Sequence, residues 1–486
     1  MTKILYDYQM NATTWVYLSS LIMIAVYFKF RRFWSVRNLD LIGLIFLAPG
    51  LLLVAHGKRE QNGTPVASSA QADARARQAK DIDSGPPISP PAADEAASKP
   101  SERPKLSERG DKIEARTSPG RQMEQLGYLW LFVVGGFFLF RMLIDSVMVR
   151  RPLLEPNLSA SGLSFACASM FVFLIANVIT DRPEMGSAPA VKASDKPADK
   201  PSEKPADKLT DDGRNVDIQK VLKQSGPGYP LFHVFSCDSD DTVKRITAII
   251  AHLAIVLGMV LIGYRHFDNT HAGIAAATLY LLLPYTAQYT PRVDHVVPGA
   301  LLVWAIQCYR RPVLSGIFVG LAAGLTWYPL FLLPLWCSFY WRRGLLRFSF
   351  SVLVVLSLII GSLAFAPANL GSFWIQFMQT VGAWYVPTAE ISGFWEGPLA
   401  PFRWPIMAAF FAMCGSMVLW PAQKNLGSLL ACSAAIMLGT QFWKAHDGGT
   451  YMAWFLPLMI LTILRPNLED RVALSAISEG WVKWRK

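Results

Sequence analysis

Residues 245–264 read RITAIIAHLAIVLGMVLIGY. Between Arg245 and Tyr264 the one ionisable side chain is His252. About twenty such residues, wound as a helix, match the roughly 30 Å hydrocarbon core of a bilayer. A helix is also the form in which one segment satisfies its own backbone polar groups without water. Working outward, twelve further apolar runs have the same character, so the spacing predicts thirteen spans: 13–30, 39–56, 126–147, 161–180, 245–264, 271–289, 298–309, 313–328, 330–341, 348–365, 401–420, 426–443 and 451–464. The expected fold is an all-α, polytopic membrane helical bundle. The three spans between 298 and 341 are short, tilted or broken by Pro329 and Pro334.

Composition agrees. Hydrophobic residues make up 52% of the 486 and the mean hydropathy is +0.30. Charged residues make up 17%, against about 25% in soluble domains. The formal charge of +11 gathers in short clusters at the ends of apolar runs, as at Arg31-Arg32, Arg150-Arg151, Arg310-Arg311 and Arg342-Arg343. Such clusters report membrane orientation rather than a nucleic-acid partner. Threading the spans with the N-terminus outside puts all of them, with Arg265, Lys424 and the 483–486 tail, on the cytoplasmic side. The expected location is a bacterial inner (plasma) membrane with the C-terminus cytoplasmic. Asp7 and the absence of a small-residue cleavage site argue against a signal peptide. Six cysteines show no ligand or disulfide spacing, so no metal or other cofactor is indicated.

The chain divides into an N-terminal transmembrane hairpin (1–57), a polar linker (58–122), a second hairpin (123–181), an outer loop (182–243), a compact bundle (244–465) and a tail (466–486). Residues 58–122 and 188–214 are rich in Ala, Pro, Lys, Ser and acidic residues. They have too few apolar groups to offset chain entropy and are expected to be disordered. Residues 366–399 form a longer outer loop rich in Trp, Tyr and Phe, suited to the membrane interface or to helices lying in it.

Ionisable residues inside spans are functional suspects, and His252 is the clearest of very few. That scarcity argues against ion-coupled transport. Polar residues gather instead on the expected outer face: Arg292, Asp294 and His295 in one loop; Lys444, His446 and Asp447 in another; Arg403 beside the aromatic loop; Asp181 directly after the fourth span. Carboxylate, imidazole and cation together suit general-base chemistry and phosphate stabilisation.

Three segments carry a resemblance. Arg292 to Trp304 (RVDHVVPGALLVW), Gly316 to Leu330 (GIFVGLAAGLTWYPL) and Gly449 to Leu458 (GTYMAWFLPL) resemble, in order and spacing, stretches of GT-C superfamily glycosyltransferases of the polyprenyl-phosphate-mannose-dependent type. The resemblance covers about 161–464. It implies transfer of a sugar from a polyprenyl-phosphate donor in the bilayer to a glycan, lipid or protein acceptor on the outer face. An Asp beyond the first core helix would be the general base, matching Asp181, with Asp294 as the second acidic position. Arg292, His295, Arg403, Lys444, His446 and Asp447 would bind the substrate. Trp327 stands where that family carries a Lys, and an insert follows Asp181. Two rival classes are a non-catalytic polytopic protein of envelope assembly and a transporter or flippase of lipid-linked substrates.

Overall fold

The computed structural model describes residues 12–82, 119–145, 148, 155–180, 241–362, 391–421 and 424–466. Among them are helices and turns and no strand. The helices are α1 (Ala12–Tyr27), α2 (Val36–Ile82), α3 (Pro119–Asp145), α4 (Ala160–Thr180), α5 (Asp241–His266), α6 (Thr270–Leu282), α7 (Pro284–Gln288), α8 (Val293–Gln307), α9 (Pro312–Leu325), α10 (Leu333–Phe339), α11 (Leu345–Ser362), α12 (Arg403–Leu419), α13 (Leu426–Trp443) and α14 (Leu456–Leu464). Short 3-10 turns occupy Tyr328–Leu332, Gly393–Trp395, Gly397–Phe402 and Met452–Trp454.

Among the described residues, seven helices are long and apolar enough to cross a membrane: Val36–Gln61, Pro119–Asp145, Ala160–Thr180, Thr242–His266, Leu345–Ser362, Gly397–Leu419 and Leu426–Trp443. Other expected spans fall on shorter apolar helices. The 15 residues of α8 reach only about 22 Å at 1.5 Å per residue. Helix α2 runs on to Ile82, beyond the expected linker start at Lys58. Residues 66–80 hold six alanines together with Gln, Arg and Lys, all good helix formers. The remainder of that linker up to 118, and the expected disordered stretch 188–214, lie outside the described residues.

Two units are distinguished. The smaller, residues 49–133, pairs the middle of α2 with the first half of α3. Glycines bring these backbones together: a Cβ at Gly127 would meet Val54 N at 2.8 Å, and one at Gly57 would meet Glu124 N at 2.7 Å. Gln61 donates to Glu124 at 2.7 Å within this pair.

The larger unit holds the rest. Its central helix is α13, 94% of whose apolar window is buried. Its small residues, including Ala431, Ser433, Ala434, Ala435 and Gly439, permit the close approach that packs helices in lipid. Along α9, Gly316, Gly320 and Gly324 recur every fourth residue against Phe348, Val355 and Ile359 of α11. Helix α11 is only 17% buried over its window and presents Phe350, Leu353 and Leu358 outward. Helices α4 and α12 likewise present Phe165, Phe173, Trp404 and Leu419. So much contiguous apolar surface is an aggregation hazard in water and ordinary in hydrocarbon.

The larger unit has two unlike ends. At the basic end Asn157 donates to the Ala25 and Phe28 carbonyls, His271 contacts the Leu158 carbonyl, and His266 contacts the Gln307 carbonyl next to Arg310 and Arg311. At the polar end Asn177 of α4 donates to Ala287 at 2.7 Å, His252 contacts the Thr290 carbonyl, and Arg403 donates to the Trp443 carbonyl. The loops 289–295 and 443–451 share the polar end.

The sequence reading finds few ionisable residues within spans, and here the structure adds a cluster. Arg141 of α3 donates to Asp40 at 3.0 Å and to Asp145 at 3.1 Å, and Arg465 donates to the other Asp145 oxygen at 2.7 Å. Asp40 and Asp145 are each 1% exposed. These four residues come from distant parts of the chain, and α14 brings Arg465 alongside Asp145.

Candidate functional site

The site begins with a break between helices. Pro284 opens α7 after the extended Leu283, and α7 ends at Tyr289. Four residues later α8 starts, with Asp294 in its first turn. A carboxylate there lies at the positive end of the helix dipole. Pro298 then stands inside the helix. It has no N–H, so the carbonyl four residues earlier loses its helical partner. That carbonyl belongs to Asp294, and the Trp454 indole N–H takes it at 3.3 Å. Next to Pro298, Gly299 has no side chain where the Ala453 carbonyl oxygen sits, and a Cβ would overlap it. The Pro-Gly pair thus seats residues 451–454 against the start of α8.

The second half of the site follows α13. Gln441 Oε1 accepts from the backbone N–H groups of Gly449 at 3.2 Å and Tyr451 at 3.3 Å. Asp447 has φ 49° and Gly449 φ 95°, the left-handed conformation that Asp tolerates and Gly adopts freely. A Cβ at Gly448 would stand 2.5 Å from the Gln441 carbonyl oxygen. The turn is therefore held from beneath by one glutamine.

Within this frame Lys444 is 2% exposed. Its Nζ donates to the His446 carbonyl at 3.1 Å and lies 3.7 Å from the Tyr451 ring centroid, with Tyr328 and Trp454 at 5.6 and 5.8 Å. Burial pushes the ammonium down to about 8, while Asp447 and Asp294 pull it up. Arg292 is exposed, with its guanidinium 5.3 Å from the Tyr289 ring. The Asp294 side chain is 33% exposed. A partly open carboxylate, an exposed guanidinium and a buried ammonium thus share one aromatic-walled end of the bundle. They have the charges needed to take a proton and to hold an oxyanion.

Other expected site residues have different places. His295 is fully buried. Its ring stacks on Tyr451 at 4.1 Å and on Tyr289 at 5.4 Å, so it lies under the open surface instead of lining it. Arg403 is buried, and its Nε donates to the Trp443 carbonyl at 2.7 Å, neutralising the C-terminal end of α13. His446 turns its ring to Ser392 at 3.2 Å. Asp447 is half-buried in the strained turn beside Lys444. Asp181, the first expected base, lies outside the described residues, as does the aromatic loop up to Glu390. The end of α4 at Thr180 is at the polar end. His252, the suspect within a span, contacts Tyr280 at 3.0 Å and the Thr290 carbonyl at 3.2 Å, which occupies both ring nitrogens.

Tyr285, Tyr289, Tyr328 and Gln441 are contributors that the sequence reading does not single out. Tyrosines preceding Asp294 by five and nine residues carry no chemical signature until α7 breaks away from α6. An open apolar groove of about 500 Å³ lies between α3 and α12, lined by Phe140, Ile144, Met413 and Trp420 among others. Its lining includes none of the residues around Asp294. Among the described residues no cluster of His, Cys, Asp and Glu is arranged to hold a metal ion. No family model matches the chain, and no curated protein or solved structure shows a significant match to it.

Proposed function

We propose that the chain is a GT-C-like membrane glycosyltransferase, which moves a sugar from a polyprenyl-phosphate carrier to an acceptor hydroxyl at the polar end of the bundle. The observation that carries this reading is the half-open Asp294 carboxylate with Arg292 and Lys444 in electrostatic reach. Asp294 takes the acceptor proton as the hydroxyl oxygen bonds to the anomeric carbon. The bond from that carbon to the phosphate oxygen breaks, and its electron pair leaves with the phosphate. Arg292 and Lys444 counter the charge that develops there. Asp181 is the alternative base that the family resemblance implies. The proposed arrangement has thirteen crossings, the N-terminus outside, the C-terminus cytoplasmic and the polar end facing out.

The test is sugar transfer by the purified chain in liposomes, with a panel of polyprenyl-phosphate sugars as donors. The expected result is activity in the wild type and a loss of at least a hundredfold in Asp294→Asn or Asp181→Asn. Activity equal in all three removes the mechanism. A wild type inactive with every donor leaves the non-catalytic assembly protein as the better description.

A further inference from the structure

We propose that His295 is a positioning residue for Asp294, with its Nε2–H aimed at the carboxylate and its Nδ1 anchored on the Tyr285 hydroxyl. The pairing rests on the geometry alone; only its effect on rate rests on the sugar-transfer reading. His295 Nδ1 lies 2.9 Å from the Tyr285 oxygen. Its Nε2 is buried, has no hydrogen-bond partner, and lies 3.7 Å from Asp294 Oδ2. An imidazole lone pair facing a carboxylate oxygen is repelled by it, whereas an N–H there is attracted. The attractive arrangement puts the proton on Nε2, which leaves Nδ1 as acceptor and makes the Tyr285 hydroxyl the donor. One tautomer therefore satisfies both neighbours, and the other satisfies only Tyr285.

The ring cannot turn away from this task. Tyr451 stacks on it at an interplanar angle of 24° and Tyr289 at 11°. Around the pair stand Arg292 just before α8, Lys444 and Asp447 from the turn after α13, Tyr285 from α7, Tyr289 just after it, and Tyr451. The gap of 3.7 Å is longer than a hydrogen bond. Catalytic contacts of this kind are often long without substrate and tighten in the reacting complex. Rotation of the Asp294 side chain closes the gap, and the N–H then fixes one carboxylate oxygen while the other faces the acceptor.

The test uses the full chain in lipid bilayers with nitrogen-15 histidine, observed by solid-state NMR. His295 is identified by the signal missing from His295→Gln. The expected wild-type state has the proton on Nε2, and Asp294→Leu, which removes the carboxylate that selects this tautomer, moves it toward Nδ1. Tyr285→Phe, which removes a neighbour that either tautomer satisfies, is expected to leave it on Nε2. If Asp294→Leu does not fold, Asp294→Ala gives the same decision. A wild-type proton on Nδ1, or the same tautomer with and without the Asp294 carboxylate, overturns the pairing. None of these signals needs turnover, so an Asp294→Asn variant as active as the wild type would defeat the sugar-transfer reading and leave this result standing or falling separately. With turnover present, His295→Phe is expected to lower kcat about tenfold at unchanged KM, while His295→Gln, which keeps an N–H donor, holds it near the wild type.

Discussion

Replacing Lys444 with Met removes a buried ammonium and keeps an unbranched apolar stem. The Lys444 ammonium falls from 10.5 to about 8 on folding because burial disfavours its charged form. A Lys lowered in the folded state binds fewer protons there than in the unfolded chain. Its burial therefore costs stability in full below pH 8, and the cost disappears as pH rises from about 8 to 10.5. The size follows from about 1.4 kcal/mol for each pH unit, or about 3 kcal/mol. The Tyr451 ring, 3.7 Å from Nζ, returns up to about 2 kcal/mol as a desolvated cation–π contact. The net advantage of Lys444→Met at pH 7 is thus about 1 to 3 kcal/mol. Thermal unfolding of both proteins in one detergent, at steps from pH 6 to 11, measures it. The variant should melt higher at pH 6 to 7, with the two curves converging above pH 10. Parallel curves, or a variant less stable at pH 6, would refute the buried-ammonium account. Added inorganic phosphate should stabilise only the wild type, and less so as pH passes 8.

Gly299→Ala drives a methyl into the Ala453 carbonyl oxygen; a loss of about 1–3 kcal/mol is expected, with Trp454 fluorescence reporting its displacement from the Asp294 carbonyl. Arg141→Met leaves Asp40 and Asp145 buried with fewer partners, which costs about 3–5 kcal/mol. The same change combined with Asp40→Asn should recover part of that loss in a thermal-shift assay. Gly320→Leu wedges α9 from Val355 of α11 and should lower both the melting temperature and the yield of monodisperse protein.

Much of the fold is legible because a membrane helix announces itself in one variable. The ends of the runs at 161–180, 245–264 and 426–443 fall within four residues of those of α4, α5 and α13. Alternating basic loops also foretell that Asp294 and Lys444 meet at one end. Hydropathy says less where length decides. The run at 271–289 is one stretch in sequence, yet it divides at Pro284 into α6 and α7, and that break brings Tyr285 to His295. Charge and location nominate Arg403 and His295 for substrate, but depth decides their roles: both are buried and point to protein groups. The Asp40–Arg141–Asp145–Arg465 chain is illegible for a different reason. Its partners come from opposite ends of the chain, and no local pattern links them.

That chain of charges also sets an order of assembly. Asp145 and Arg465 are 320 positions apart. During synthesis α2 and α3 are therefore made long before Arg465 exists, and one Asp145 oxygen waits for the guanidinium that the finished fold gives it. The last helix closes a charge network that the first two hairpins open, so the polar interior of those hairpins is complete only when α14 arrives.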